Sequence, residues 1–264
     1  MRSLRALVVL LLGCALLAGC SSTGAGGSGG SDGSGGSGGT GGTLTVLAAS
    51  SLTEAFGSLG HTFEHQHPGL HVRFSFDSSA TLAEQVVQGA PADVLATADS
   101  DTMHTVVAAH DNAEPPKLFA TNELVLAVPR ANPAHITDVA DLDRPGVKYL
   151  ACVSSAPCGA LADTLLMMNH ISAPPVSREV DVKSVLSKLE LGEADAGFVY
   201  TTDARSSQGK VRALPIPHAA QHLNPYPIVT LTGSGQPSLA HAWVRLVLSP
   251  TGRRVLRAAG FGAP

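Results

Sequence analysis

From Thr43 onward, short apolar runs of strand length alternate with stretches whose apolar residues recur every three or four positions. Thr43-Leu44-Thr45-Val46-Leu47 and Val72-Arg73-Phe74-Ser75-Phe76 read as strands, and so do residues 93–96, 124–128, 147–151, 196–200 and 228–231. Helical spacing marks residues 52–65, where Leu52, Ala55, Phe56, Leu59 and Phe63 share one face, and recurs over 82–88, 161–169, 185–191, 239–248 and 251–259. Pro68-Gly69 is a turn, and Gly89 and Pro91 break a helix before the next strand. Strands that alternate with helices in this way predict βαβ units, hence an α/β fold with a mainly parallel sheet.

The first 42 residues follow no such pattern. Arg2 and Arg5 precede an apolar stretch from Leu7, which is too short for a stable spanning helix and ends in Leu17-Ala18-Gly19-Cys20. Residues 1–20 thus read as a lipoprotein signal peptide, with Cys20 diacylated and holding the chain to the outer face of the cytoplasmic membrane. The alternative is an ordinary cleaved secretory signal with an incidental cysteine. Residues 21–42 are almost wholly Gly and Ser and cannot bury enough apolar surface to offset their ordering entropy. They are expected to act as a flexible leash reaching roughly 25 Å.

Composition narrows the function. Without Arg2 and Arg5, the 17 Lys+Arg fall to 15 against 21 Asp+Glu, a balance of −6 that argues against nucleic acid as a partner. Of four cysteines, Cys14 leaves with the signal and Cys20 carries lipid, which leaves Cys152 and Cys158 close together in an oxidising compartment. They are expected to form a disulfide, and so short a loop contributes only about 2 kcal/mol. A metal or redox pair is the weaker reading, because the spacing is not C-x-x-C.

The chemistry-bearing residues gather where strands give way to helices. Ser51 and Glu54, then Thr81 and Glu84, have capping-box spacing, with Ser78 and Ser79 just ahead of the second box. Hydroxyls and free N–H groups at the positive end of a helix outline an anion site, although Ser and Thr also serve there as plain caps. In a parallel sheet such junctions lie at the carboxyl ends of the strands, where ligands bind.

The segments Ala48-Ala49-Ser50-Ser51-Leu52-Thr53-Glu54-Ala55, Phe76-Asp77-Ser78-Ser79-Ala80-Thr81-Leu82 and Gln88-Gly89-Ala90-Pro91-Ala92-Asp93-Val94 resemble the bacterial molybdate-binding proteins of ABC importers. The likeness continues through Thr121-Asn122-Glu123, Pro157-Cys158-Gly159, Asp181-Val182-Lys183, Gly197-Phe198-Val199-Tyr200, Pro225-Tyr226-Pro227-Ile228 and Gly260-Phe261-Gly262. It implies a two-lobed, type II periplasmic-binding-protein fold with the ligand cleft between the lobes. Residues 43–122 plus 226–264 would form the first lobe and residues 123–225 the second. It also implies five ligand contacts: hydroxyl and N–H from Ser51 and Ser79, N–H from Cys158 and Val182, and the phenol of Tyr200. Cys158 stands where the family commonly has alanine. Since only its N–H is required, its side chain is free to pair with Cys152. Each serine pair offers two hydroxyls, so Ser50 and Ser78 remain alternatives.

A tetrahedral dianion without a proton needs donors only, and these residues supply them without a counter-charge. The implied function is an extracytoplasmic lipoprotein that captures molybdate or tungstate, needs no cofactor, acts as a monomer, and delivers to an ABC permease and its ATPase. A phosphate receptor would want an acceptor for the remaining proton, for which Asp77 and Asp181 are near enough in sequence. Sulfate would be refused by cavity size. His61 and His65, one helical turn apart with His67 close behind, are a rival transition-metal reading. An enzyme is not expected: no G-x-S-x-G elbow follows a strand pattern, the spacing occurring only in the Gly/Ser stretch, and H-E-x-x-H and the P-loop are missing from the sequence.

Overall fold

The computed structural model describes residues 42–264. The lipobox, Cys20 and the Gly/Ser stretch up to residue 41 lie outside the described residues.

Two five-stranded sheets organise the described chain. The first has the order β2-β1-β3-β10-β4, from β1 (Thr43–Ala49), β2 (His71–Asp77), β3 (Val94–Ala96), β4 (Lys117–Asn122) and β10 (Asn224–Thr230). The second has the order β7-β6-β8-β5-β9, from β5 (Leu124–Pro129), β6 (Tyr149–Cys152), β7 (Ser177–Glu179), β8 (Ala196–Tyr200) and β9 (Val211–Leu214). The chain passes to the second sheet between Asn122 and Leu124 and returns between Leu214 and Asn224. Helices α1 (Thr53–Gln66), α2 (Ser79–Val87), α3 (Ser100–Ala108), α7 (Pro237–Leu248) and α8 (Pro250–Ala259) accompany the first sheet. Helices α4 (Pro157–Met168), α5 (Val182–Glu190) and α6 (Thr201–Ser206) accompany the second.

The sheets are mixed, which corrects the expectation of a mainly parallel one. Strands β1, β2 and β3 are parallel, with Thr43 opposite His71 and Val46 opposite Val94, but β10 runs antiparallel to both β3 and β4. In the second sheet β5 is likewise antiparallel to β8 and β9. In both cases the strand adjoining a crossing carries the reversal, so the same two connections that join the sheets turn the chain around.

Strand β10 begins at Asn224, four residues before the apolar run at residue 228, although Pro225 and Pro227 lie within it. Proline donates no ladder hydrogen bond, and the register with β4 shifts between Tyr226 and Pro227. The strand is nevertheless interior, between β3 and β4.

Each sheet has its own core. Trp243 of α7 packs edge-on to Phe56 and Phe63 of α1, at ring separations of 5.4 and 5.5 Å, and joins Phe119 and Tyr226 in one buried cluster. A separate cluster of Leu, Val and Ala with Tyr149, Phe198 and Tyr200 fills the second.

Candidate functional site

The carboxyl ends of β1, β2, β6 and β8 converge on one cavity of about 210 Å³, counted with its mouth. Ser51, Ser79, Cys158, Val182 and Tyr200 all line it, as do Ser50, Ser78, Asp77, Asp181 and Ala98. None of those first five is more than 4 % exposed, so a group held there is stripped of water. A charge-assisted hydrogen bond made in such a place is stronger than one at a wet surface.

The helix starts around the cavity lack the side-chain caps expected of them. Ser78 precedes α2 and Ala156 precedes α4, and neither caps its helix through a side chain. The Ser51/Glu54 and Thr81/Glu84 capping boxes are not formed. Helix α1 starts at Thr53, with Leu52 at its N-cap, and α2 starts at Ser79, which puts Thr81 inside its first turn. The first-turn amides of Ser79 in α2 and Cys158 in α4, both lining the cavity, thus have no side-chain cap to donate to, whereas the Thr53 N–H of α1 donates to the Ser50 carbonyl. Helix α5 is different: Asp181 accepts from the N–H of Lys183 and Ser184 at 2.7 and 3.2 Å, and not from the first amide, Val182.

Among the described residues that line the cavity there is no lysine or arginine. Its two carboxylates each accept hydrogen bonds locally. Asp77 accepts from the Ser78 N–H at 2.6 Å, and Asp181, besides capping α5, accepts from the Ser184 hydroxyl at 2.8 Å. Burial raises the Tyr200 phenol well above the ordinary tyrosine range, so it keeps its proton at neutral pH.

Cys152 and Cys158 are joined in a disulfide with their Cα atoms 5.8 Å apart. It ties the end of β6 to the first turn of α4, and Gly159 lets the two approach. A Cβ at that position would overlap the Val153 carbonyl.

Several contributors went unassigned at the level of sequence. Ser51 Oγ lies 2.7 Å from the Tyr226 hydroxyl, to which Asn122 Nδ2 donates at 3.3 Å. Ser79 Oγ accepts from the Ala98 N–H at 2.9 Å. Asn224 Nδ2 donates to Tyr200 Oη at 2.9 Å and to the Ala98 carbonyl at 2.7 Å. Buried polar side chains inside or ending apolar strands were the available signal, in Thr121-Asn122-Glu123 and Asn224-Pro225-Tyr226. At the rim, Lys183 of α5 meets Glu54 of α1 at 2.7 Å and the buried Asp203 of α6 at 3.2 Å.

The histidines do not assemble. Among the described residues no group of three or more His, Cys, Asp or Glu side chains is placed to hold a metal. His67 Nδ1 is 2.9 Å from the Phe63 carbonyl, and His61 is almost fully exposed.

Two mixed sheets, crossed twice by the chain and meeting at a cavity lined with donors, define the periplasmic solute-binding fold. The model of the bacterial extracellular solute-binding proteins matches residues 44–262, and the chain belongs to that family. It is 42 % identical over 221 residues to the molybdate-binding protein ModA of Mycobacterium tuberculosis, covering 84 % of this chain and 85 % of that one. Among solved structures, the periplasmic molybdate-binding protein of Azotobacter vinelandii aligns with a TM-score of 0.74 at 18 % identity, over 84 % of this chain and 99 % of the other. The sulfate-binding protein SubI of M. tuberculosis aligns with a TM-score of 0.73 at 17 % identity, over 83 % and 86 %. Those two likenesses establish the fold and do not separate one oxyanion from another.

Proposed function

We propose that the protein captures molybdate, and tungstate with it, for an ABC importer. The anion is held by the hydroxyls of Ser51, Ser79 and Tyr200 and the N–H groups of Cys158 and Val182. One observation carries the reading: donors from both sheets meet in a single small buried cavity lined by no lysine or arginine, where Asp181 caps its own helix and Asp77 accepts from its neighbour. The charge of the dianion is balanced by helix N-termini, each contributing about 0.3–1 kcal/mol and up to ~2 when partly buried. This reconciles an acidic protein with an anionic ligand. A protonated oxyanion would need a free acceptor.

In the same reading residues 43–122 plus 226–264 and residues 123–225 are lobes that hinge at the two crossings and close on the anion. The closed form is what the permease and its ATPase recognise. Cys20 carries the lipid that keeps the monomeric receptor near them. Isothermal titration with molybdate, tungstate, sulfate and phosphate tests the assignment. Binding of the first two and little of the others is expected. Tight sulfate or phosphate binding with none of molybdate would sink it.

A further inference from the structure

A hydroxyl accepts as readily as it donates, so three hydroxyls in a cavity do not by themselves make a donor-only site. Their neighbours decide the direction, and here each chain of neighbours begins at a backbone group that has only one role to play.

The Ala98 N–H can only donate, so Ser79 Oγ, 2.9 Å away, accepts, and its own proton is left for the cavity. The Ala98 carbonyl can only accept, so the Asn224 atom 2.7 Å from it is the amide nitrogen. That same nitrogen lies 2.9 Å from Tyr200 Oη, so the phenol accepts from Asn224 and its proton too is left for the cavity. The third chain starts at the Glu123 N–H, 3.1 Å from Asn122 Oδ1, which fixes the Asn122 amide nitrogen toward Thr202 Oγ1 at 2.9 Å and the Tyr226 hydroxyl at 3.3 Å. Tyr226 accepts from Asn122 and lies 2.7 Å from Ser51 Oγ, a bond that either hydroxyl could donate; with Tyr226 as the donor, the Ser51 proton has the cavity left to it. All four linking side chains and hydroxyls in this third chain are buried, so water does not scramble it.

We propose that Asn122 and Asn224 are positioning residues that set the hydrogen-bond polarity of the site. Asn224 acts directly on Tyr200 and Asn122 acts through Tyr226 on Ser51, so that these two hydroxyls, like that of Ser79, present a proton to the ligand. This rests on the oxyanion reading of the cavity. Its consequence is that an anion still carrying a proton finds no acceptor among these three hydroxyls, whatever its size.

Asn122→Asp inverts the third chain at constant shape. One carboxylate oxygen still accepts from Glu123, but the other now accepts from Tyr226. The Tyr226 hydroxyl turns, Ser51 donates to it, and a Ser51 lone pair faces the ligand. The test is titration calorimetry at mildly alkaline pH with molybdate, which carries no proton, and hydrogen arsenate, which is close to it in size and carries one. Wild type is expected to prefer molybdate strongly. In Asn122→Asp the preference falls by about tenfold or more, the scale of one reversed hydrogen bond to a charged group. The added charge repels both dianions alike and so cancels in the ratio. Asn224→Asp, acting through Tyr200, is expected to move the ratio the same way. Tyr226→Phe, which frees Ser51 while keeping the ring, moves it less and serves if neither aspartate variant folds. Equal weakening of both anions would mean a merely structural role and would overturn the proposal. Failure of the wild type to bind either anion would instead count against the oxyanion reading.

Discussion

Tyr200 and Ser79 line the cavity from opposite sheets, and each accepts from a neighbour, Asn224 Nδ2 for Tyr200 and the Ala98 N–H for Ser79. Removing either hydroxyl should cost the 1.5–3 kcal/mol typical of a hydrogen bond to a charged group, roughly ten- to hundredfold in affinity. Tyr200→Phe and Ser79→Ala are therefore expected to weaken molybdate binding on that scale while circular dichroism shows both proteins folded. Wild-type affinity in both would mean that the site is elsewhere. That these residues share one cavity was legible in the sequence through the motif around each, since a serine at a helix start or a tyrosine at a strand end is by itself as readily a cap or a core residue. Asn122 and Asn224 were not. Asn122 meets Thr202 and Tyr226 across 80 and 104 residues of chain, through a sheet register that no local pattern encodes.

At the scale of elements, the regular strands and long helices fell where periodicity placed them, and the departures have identifiable causes. Helix α3 was missed because only Thr102, Met103 and Val106 of its nine residues are buried, too few to mark a face, although Asp99 caps it by accepting from the Thr102 N–H at 2.8 Å. The start of β10 was missed because two prolines argue against an interior strand, and a register shift accommodates them. The capping boxes are unformed because the helices start elsewhere than the spacing implies, α1 at Thr53 and α2 at Ser79. Glu54, free of the cap, reaches across to Lys183. The disulfide at the start of α4 separates stability from binding. Replacing Cys152 and Cys158 together by serine should lower the unfolding free energy by about 2 kcal/mol. Affinity should fall less than in Tyr200→Phe, since residue 158 contributes a backbone N–H. Denaturant titration alongside calorimetry separates the two effects, and an affinity loss as large as that of Tyr200→Phe would show that the bridge itself positions the amide.

For the molecule as a whole, the cluster of Glu54, Lys183 and Asp203 spans the two sheets and gives stability a dependence on pH. Burial raises the Asp203 carboxyl from 3.8 to about 6, against the opposing pull of Lys183 and the hydrogen bond from the Tyr200 N–H. The folded state thus holds this proton more tightly than the unfolded chain does. Its stabilising contribution is complete below about pH 4 and is lost as pH rises through about 6, an effect on the order of a few kcal/mol. Asp203→Asn should remove that slope. Denaturant unfolding across this window is expected to show the difference between variant and wild type moving in the variant's favour as pH rises, and a flat difference would refute the assignment.

The order of strands in the first sheet also sets a timetable. Strand β10 lies between β3 and β4, so until residues 224–230 have emerged that sheet exists only as separated pieces. The second sheet draws all its strands from one uninterrupted span between Leu124 and Leu214 and is complete earlier. A chain released or cut before its last forty residues would carry one finished half and one that cannot close its core, because Trp243 arrives later still. The half that is begun first is finished last, and the wait falls on the segment holding Ser51 and Ser79.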